Sequence, residues 1–275
     1  MQLDIETKLK LNNNAEIPIF GLGVWRTGVG QQTRDAVTWA LEAGYRHIDT
    51  AAFYGNEKDV GDAVRDSGMP REEIFITTKL WNSDHGYDKA LKAFDTSMDK
   101  LGLDYVDLYL IHWPEENLRK DSWKALEKIY RDGRSRAIGV SNYTIRHLKE
   151  VFDYGEVIPA VNQVEFHPYL YQKELLQFCN DNNIKLEAYS PLTKGKKLDD
   201  PKLAEITQKY SKSPAQILIR WCLQKNVIVI PKSARKEHIL QNADVFDFEI
   251  SEGDMARLDS FNRDYRCAWD PSDAK

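Results

Sequence analysis

The sequence predicts a (β/α)8 barrel preceded by a β-hairpin, and three observations favour this fold. From Phe20 onward, short apolar runs rich in β-branched residues alternate strictly with amphipathic segments. Eight strand-like runs are each followed by a helical segment, which is the number of repeats in this barrel. The 275 residues of the chain are close to the roughly 250 residues that the fold usually needs.

The predicted elements follow one another without a linker or a low-complexity tract. The N-terminal stretch KLKLNNNAEIPIF has two strand-like runs around three asparagines, which predicts a hairpin that acts as a lid. The barrel strands are predicted at Phe20–Gly23, Arg46–Ile48, Ile74–Thr78, Val106–Ile111, Arg136–Val140, Ala160–Val164, Lys185–Tyr189 and Val227–Ile230. The helices are predicted at Thr33–Ala43, Glu57–Asp66, Tyr87–Leu101, Asp121–Arg131, Ile145–Phe152, Gln172–Asn182, Ser213–Gln224 and Glu237–Ala243.

A doubly wound open sheet is the rival fold. Such a sheet normally carries the pattern G-x-G-x-x-G after its first strand, where the glycines let the backbone approach a pyrophosphate. Here the segment Gly21–Arg26 reads GLGVWR and places an arginine at the third glycine position. The fingerprint is absent, and the barrel is the better prediction.

Composition and charge narrow the functional class. Hydrophobic residues make up 42% of the chain and charged residues 29%, with a formal net charge of −5. These values are typical of a globular protein, and we expect one domain over residues 1–275. They offer no basic surface to a nucleic acid. No apolar run approaches the roughly 20 residues of a membrane span, and the N-terminus lacks the layout of a signal peptide. We therefore expect no membrane partner and a cytoplasmic location.

The sequence gives no sign of a metal site. Its three cysteines, Cys179, Cys222 and Cys267, are far apart and form no C-x-x-C pair. The histidines form neither an H-x-H nor an H-E-x-x-H pattern. We expect free thiols and neither a metal nor a disulfide.

In a (β/α)8 barrel the site is built at the carboxyl ends of the strands. The residues at those predicted ends should therefore be polar, aromatic or reactive. They are Trp25, Asp49, Tyr54, Lys79, Trp81, His112, Trp113, Ser141, Asn142, Gln163, Glu165, Tyr189, Ser190, Lys232 and Ser233. Every strand contributes side chains suited to a site.

Four of these residues together fit the protonation of a carbonyl. The reference pKa of tyrosine is near 10, too high for an efficient acid at neutral pH, so Tyr54 needs a neighbouring positive charge. Lys79 can supply one, since a unit charge at about 4 Å is worth roughly 4 kcal/mol at an effective dielectric near 20. Asp49 would keep that lysine charged. His112 could donate a hydrogen bond as a neutral imidazole and orient the carbonyl oxygen.

Two alternative roles concern the same lysine and tyrosine. Tyr54 and Lys58 form the pattern Y-x-x-x-K of short-chain dehydrogenases, but the glycine-rich turn of those enzymes is missing, and Lys58 fits a solvated helix position better. Lys79 could instead be the Schiff-base lysine of a barrel aldolase. Binding of NADPH would separate an aldolase from a reductase.

Aromatic residues at the strand ends favour a pocket wall over ordinary core packing. Apolar pockets with a few polar groups are usual for small ligands. The C-terminal segment Tyr265–Trp269 is also expected to edge this pocket. The predicted substrate-pocket residues are Trp25, Phe53, Trp81, Trp113 and Trp269.

Several motifs in order resemble those of the aldo-keto reductase family along the whole chain. They are GLGVW at 21–25, GYRHIDTA at 44–51, VDLYLIHWP at 106–114, IGVSN at 138–142, NQVEFHP at 162–168, YSPL at 189–192 and IPKS at 230–233. The short loops resemble the compact microbial and protozoal members. The resemblance implies an NADPH-dependent reduction of aldehydes or activated ketones, with Asp49, Tyr54, Lys79 and His112 as the catalytic tetrad. It also implies a monomer. Potassium-channel β subunits of the same family act as cofactor-binding partners, but their chains are longer.

The resemblance further implies where the cofactor binds. Tyr189 would stack on the nicotinamide, its carboxamide would be held by Ser141, Asn142 and Gln163, and Lys232 and Ser233 would hold the 2′-phosphate. The remaining expected cofactor contacts are Gly23, Val24, Trp25, Ser190, Leu192, Arg235, His238 and Asn242.

One position departs from the family's pattern. The family commonly has an arginine stacked on the adenine side, and this chain has His238. Loss of a permanent cation near the 2′-phosphate should weaken the preference for NADPH. We therefore expect measurable use of NADH.

Overall fold

The computed structural model describes residues 3–274 and confirms the predicted barrel with its N-terminal hairpin. Eight parallel strands follow in chain order around a sheet, and bridges from Phe20 to Val229 and from Gly23 to Lys232 close it. The hairpin strands are β1 (Lys8–Lys10) and β2 (Glu16–Pro18), and the barrel strands are β3 (Leu22–Gly23), β4 (His47–Asp49), β5 (Phe75–Leu80), β6 (Val106–Ile111), β7 (Ser135–Ser141), β8 (Val161–Glu165), β9 (Lys185–Tyr189) and β10 (Ile228–Val229). The single domain over residues 1–275 stays a prediction.

The closure of the barrel depends on a glycine. A Cβ atom on Gly23 would lie 2.9 Å from the carbonyl oxygen of Ile230. That distance is too short for a side chain against backbone, so only glycine lets the first and last strands approach each other here. The first strand therefore ends tightly packed directly below the predicted site.

The helices lie outside the strands, and most predicted bounds agree with the structure within two residues. They are α1 (Gln31–Glu42), α2 (Glu57–Asp66), α3 (Tyr87–Leu101), α4 (Arg119–Arg131), α5 (Ile145–Tyr154), α6 (Lys173–Asp181), α7 (Pro201–Tyr210), α8 (Pro214–Gln224), α9 (Lys236–Ala243) and α10 (Glu252–Asp259). No helix in this part of the chain has the length and apolarity that a membrane crossing requires.

Two helices, α7 and α10, were not predicted, because one helix was assigned to each strand. The local signals are present in the sequence. The Asp200 side chain accepts a hydrogen bond from the backbone of Lys202, and Pro201 occupies the first helical position. Ser251 caps α10 in the same way through the backbone N–H of Asp254.

The hairpin covers the end of the barrel where the strands begin. Leu11 and Ile17 pack against apolar residues at or near the strand starts, among them Phe75 and Val161. Asn12 Nδ2 donates to the carbonyl oxygen of Pro159 at 3.0 Å. The lid therefore closes the amino-terminal end, and the carboxyl-terminal end remains open for a ligand.

Candidate active site

Asp49 and Lys79 form a buried ion pair on two neighbouring strands. Asp49 ends β4, and Lys79 lies inside β5, not beyond it as the sequence analysis placed it. Lys79 Nζ donates to the two carboxylate oxygens of Asp49 at 2.7 and 2.8 Å and to the carbonyl oxygen of Thr50 at 2.8 Å. These contacts stabilise an ammonium group that burial would otherwise discharge.

Tyr54 lies at the end of a short 3-10 turn that follows β4. Gly55 then adopts a left-handed conformation with φ of 71°, which turns the chain into α2. The turn places the Tyr54 hydroxyl 3.3 Å from Lys79 Nζ, with this nitrogen 4.9 Å from the ring centroid. The structure therefore brings Tyr54 to the Asp49–Lys79 pair.

The predicted electrostatic effect of Lys79 on Tyr54 is corrected by the structure. Burial raises the pKa of Tyr54 well above 10, and the negative charges of Asp49 and Glu187 raise it further. The hydrogen bond from Lys79 Nζ at 3.3 Å does not bring this pKa back to its ordinary value. Tyr54 is thus a fully protonated phenol whose oxygen accepts a hydrogen bond from Lys79.

His112 follows β6 directly and lines the same opening. Its pKa is lowered well below 6.5, mainly by burial and also by the positive charge of Lys79, so the imidazole is neutral at pH 7. Its ring lies 5.6 Å from the Tyr54 ring in an edge arrangement. The backbone oxygen of His112 accepts a hydrogen bond from Asn142 Nδ2 at 2.9 Å.

A polar network joins the other strand ends to the ion pair. Gln163 Nε2 donates to Asp49 Oδ2 at 2.8 Å, and Ser141 Oγ donates to the carbonyl oxygen of Gln163 at 2.8 Å. The Tyr189 hydroxyl donates to Asn142 Oδ1 at 2.8 Å. Several residues expected to bind a carboxamide are thus held in place by one another.

The sequence analysis missed a second buried acid near this network, Glu187 in the middle of β9. It is 0% exposed, and neither carboxyl oxygen has a hydrogen-bond partner of good geometry among residues 3–274. His47 Nε2 lies 3.8 Å away. Burial raises the pKa of Glu187 to about 8, the charge of Asp49 adds to this rise, and Lys79 and the Gln163 amide offset only part of it. The sequence signal for it is a single acid between the apolar residues Leu186 and Ala188.

The strand ends surround a cavity of about 790 Å³. The predicted residues on its wall are Gly23, Trp25, Asp49, Phe53, Tyr54, Trp81, His112, Trp113, Ser141, Asn142, Gln163, Tyr189, Ser190, Leu192, Lys232 and Trp269. Lys79 is buried behind Tyr54. The cofactor contacts expected at Val24, Ser233, Arg235, His238 and Asn242 are not brought to this wall. Cys267 and Ala268, from the C-terminal segment expected to edge the pocket, also line it. Lining residues that the sequence analysis did not single out include Arg26, Lys194 and Leu198.

One side of the cavity is aromatic. The Phe53 and Trp81 rings stack at 3.7 Å with an interplanar angle of 13°, and Trp25 adds a third ring 5.4 Å from Phe53. Trp113 and Trp269 form a second pair with centroids 5.4 Å apart. All five residues predicted for the substrate pocket therefore face the same opening.

The cavity wall also carries two cations, one of which, Arg26, lies over the Trp25 ring with its Cζ 5.6 Å from the ring centroid. Arg26 and Lys232 both line the cavity, and no ion pair links either of them to a carboxylate in the described part of the chain. The pKa of Lys232 is lowered, first by burial and then by the positive charge of Arg26. Two like charges held close together without an anion suit a phosphorylated ligand.

The barrel and this site are those of an NAD(P)H-dependent oxidoreductase, and comparison with known proteins gives the family. The profile described as the Aldo/keto reductase family matches residues 20–263, and the chain belongs to this family. It is 50% identical to a glyoxal reductase of Bacillus subtilis over 99% of both chains. It is also 50% identical to a 9,11-endoperoxide prostaglandin H2 reductase of Trypanosoma cruzi, over 95% of this chain and 93% of the relative.

Solved structures agree with this assignment. A Bombyx mori aldo-keto reductase crystallised in complex with NADP superposes with a TM-score of 0.89. The two proteins are 37% identical, and the match covers 95% of this chain and 94% of that chain. The fold and the enzyme class predicted from the sequence are therefore confirmed.

Proposed function

We propose that the protein uses NADPH to reduce an aldehyde or an activated ketone to an alcohol, with Tyr54 as the proton donor. One observation carries the proposal. The Tyr54 hydroxyl is on the wall of the cavity, and behind it the buried Lys79–Asp49 pair holds it by a 3.3 Å hydrogen bond. A general acid needs such a fixed position beside its substrate.

The roles of the four residues follow from their contacts. Tyr54 keeps its proton at neutral pH, the form that a reduction requires. Lys79 directs an N–H toward the phenolic oxygen and would stabilise the phenolate once the proton has left. Asp49 keeps Lys79 charged and in place. His112, as a neutral imidazole on the same wall, would donate a hydrogen bond to the carbonyl oxygen.

The residues around the cavity fit a nicotinamide cofactor, which supplies the hydride when bound. Ser141, Asn142 and Gln163 present polar groups on the wall, and the Tyr189 ring lies beside them. Lys232, which has no ion pair with a carboxylate among residues 3–274, would bind a phosphate as a point charge. Ser190, Leu192, Gly23 and Trp25 complete the proposed contacts within the cavity. Outside it, Val24, Ser233, Arg235, His238 and Asn242 stay predictions.

Tyr54→Phe tests the proton donor. Loss of a general acid should reduce turnover by a factor of roughly 10² to 10⁴, while NADPH still binds, as measured by quenching of tryptophan fluorescence. Near-normal turnover would falsify the assignment.

Lys79→Met and Lys58→Met form a matched pair, because both lysines were candidate partners of Tyr54. The Lys79 side chain is 0% exposed, whereas that of Lys58 is 68% exposed and pairs with Asp62. Only the change at Lys79 should abolish turnover.

We also propose that NADH is a usable cofactor because His238 replaces a permanent cation. The His238 ring lies against the guanidinium of Arg235, with Nη2 and Nε2 2.7 Å apart. The ratio of kcat/KM values for NADPH and NADH measures the preference. It should be larger in His238→Arg than in the wild-type protein, and an equal or smaller ratio in the variant contradicts the idea.

The substrate panel follows from the pocket and from the relatives. Those relatives are named for glyoxal and for a prostaglandin endoperoxide, so small dicarbonyls and a large apolar endoperoxide both belong in the panel. Aromatic aldehydes, sugar keto-acids and quinones complete it.

A monomeric state and a cytoplasmic location stay predictions. Light scattering after size-exclusion chromatography tests whether the protein is a monomer.

A further inference from the structure

The C-terminal part of the cavity wall is attached to the barrel through one buried carboxylate. Glu165 is the last residue of β8 and is 1% exposed. Its Oε1 accepts hydrogen bonds from the backbone N–H of Cys267 at 2.6 Å and from His167 Nε2 at 2.9 Å. Its Oε2 accepts one from the backbone N–H of Ala268 at 2.8 Å. A single side chain thus fixes two successive peptide groups of the C-terminal segment.

The same segment is held from a second side by the turn after β9. Lys194 Nζ donates to the carbonyl oxygen of Cys267 at 2.7 Å, and Cys267 Sγ donates to the carbonyl oxygen of Thr193 at 3.3 Å. Thr193 and Lys194 both have left-handed backbone conformations, with φ of 53° and 51°. This turn presents Lys194 to the cavity.

The group formed by Glu165, His167 and Cys267 could be considered a metal site, because their ligand atoms lie within 4.8 Å of one another. The hydrogen bonds argue against this use. Both oxygens of Glu165 already accept N–H donors, and burial together with the charge of Glu165 raises the pKa of Cys267 to about 11. A metal would have to displace the backbone donors and deprotonate this thiol. Glu165 therefore acts as an anchor for the C-terminal segment and not as one of a set of metal ligands.

The segment that Glu165 holds forms part of the cavity rim. Cys267, Ala268 and Trp269 line the cavity. Trp269 is 65% exposed, and in the described structure its ring contacts Trp113 at 5.4 Å between centroids. An exposed ring cannot fix its own position by burial, so its placement depends on the backbone directly before it.

We propose that Glu165 is a specificity-determining positioning residue, which holds the segment Cys267–Trp269 so that Trp269 closes the substrate side of the cavity. This inference builds on the proposed function, since it assigns that side to the carbonyl substrate. Substrates large enough to reach Trp269 should depend on Glu165. Small carbonyl compounds that contact only Tyr54 and His112 should not.

The first test compares substrates in Glu165→Gln, with Glu174→Gln as the matched control, because Glu174 is an exposed glutamate in the first turn of α6. The KM for a bulky aromatic aldehyde should rise roughly tenfold, which corresponds to about 1.4 kcal/mol. The kcat for methylglyoxal and the Kd for NADPH should change by less than about twofold. An equal loss for both substrates, or no change in KM, overturns the proposal.

A double-mutant cycle separates positioning from a general structural effect. In a Trp269→Ala background, Glu165→Gln should change the KM of the bulky aldehyde by less than about twofold, because the group that it positions is gone. If the tenfold effect persists in that background, Glu165 does not act through Trp269.

A readout without catalysis tests the anchor alone. Release of the segment exposes the peptide bond after Arg266, so trypsin should cut there roughly ten times faster in Glu165→Gln than in the wild-type or Glu174→Gln protein. Mass spectrometry of the shortened chain measures the rate. If trypsin cuts Glu165→Gln at the wild-type rate, Glu165 does not hold the segment, whatever reaction the enzyme catalyses. If wild-type protein reduces no carbonyl with NADPH, the proposed function fails and this arm still decides the anchor.

Lys194→Met provides a second variant should Glu165→Gln fail to fold. Lys194 is exposed, so its loss should leave the barrel intact while it removes the hydrogen bond to the Cys267 carbonyl oxygen. Cleavage after Arg266 should then be faster by roughly threefold. A wild-type rate in this variant contradicts the two-sided attachment.

Discussion

Glu165 at the rim of the barrel and Glu187 in its interior are the same residue type on neighbouring strands, and both are essentially inaccessible to solvent. Their ionisation differs. Burial alone would raise the pKa of Glu165, but hydrogen bonds from His167, Cys267 and Ala268 outweigh burial and hold this pKa below its usual value. Burial raises the pKa of Glu187 to about 8, and the charge of Asp49 reinforces the rise.

The difference shows that burial does not by itself decide whether an acid is charged. Three N–H donors replace the water that Glu165 loses, so this group remains a carboxylate. Glu187 has no donor of good hydrogen-bond geometry among the described residues and faces the negative Asp49, so it is mostly a neutral acid at pH 7. A neutral Glu187 also leaves Asp49 as the counter-charge of Lys79. One glutamate serves as an anchor, and the other serves as an uncharged part of the barrel interior.

The largest expected effect is on the pH dependence of stability in Glu187→Gln. The folded-state pKa near 8 lies above the reference value of 4.5. The contribution of Glu187 to the free energy of unfolding is therefore fully present below pH 4.5 and is lost as the pH rises to about 8. The slope is roughly 1 kcal/mol or more per pH unit. Glutamine cannot ionise, so the variant should gain stability relative to the wild-type protein between pH 5 and 8.

Urea unfolding at pH 5, 6, 7, 8 and 9 measures this difference. The free energy of unfolding of the variant minus that of the wild-type protein should rise up to about pH 8 and then become constant. The exposed control Glu174→Gln should show a difference that does not vary with pH. A constant difference for Glu187→Gln would mean that Glu187 is ionised in the folded protein.

The positions of Asp49, Lys79 and the other strand-end residues could be predicted because the carboxyl ends of parallel strands meet at one rim. The ionisation states of Glu165 and Glu187 could not be predicted from the sequence. Glu165 in VNQVE and Glu187 in KLEAY each appear as the one acid of a five-residue strand. The donors that distinguish them include Cys267 and Ala268, which lie 102 and 103 residues beyond Glu165.

The same limitation explains the error about Tyr54. The sequence places Lys79 one strand away from it and predicts a nearby charge. It does not show that burial and the negative charges of Asp49 and Glu187 raise the pKa of Tyr54 in spite of that lysine. Residue types and strand ends fix which groups meet, whereas the distances among them decide what each group does to its neighbours.

Glu165→Gln should change the free energy of unfolding less than Glu187→Gln does and in the opposite direction. At pH 7 the variant loses charge-assisted hydrogen bonds, and its amide N–H₂ faces N–H donors that need an acceptor. We expect a loss of about 2 kcal/mol in the free energy of unfolding. Urea unfolding at pH 7 measures the loss, and the same change at Glu187 is the matched comparison at pH 8, where it should not destabilise. Wild-type stability in Glu165→Gln would show that the backbone donors are equally well satisfied without the charge.

The smallest expected effect comes from removing one of the three donors through His167→Phe. His167 is fully buried, and its Nε2 donates to Glu165 at 2.9 Å. Loss of this hydrogen bond should cost about 1 kcal/mol at pH 7.

Loss of the hydrogen bond from His167 should also raise the pKa of Glu165 toward its usual value. An acid whose pKa is depressed stabilises the folded protein above its unfolded-state pKa, and this stability is lost as the pH falls through the folded-state pKa. The acid unfolding midpoint of His167→Phe, followed by tryptophan fluorescence, should therefore lie at a higher pH than in the wild-type protein. In a Glu165→Gln background the same change should leave the midpoint where it was, because no carboxylate remains at that position. A shift of equal size in both backgrounds would mean that His167 acts through packing and not through the charge of Glu165.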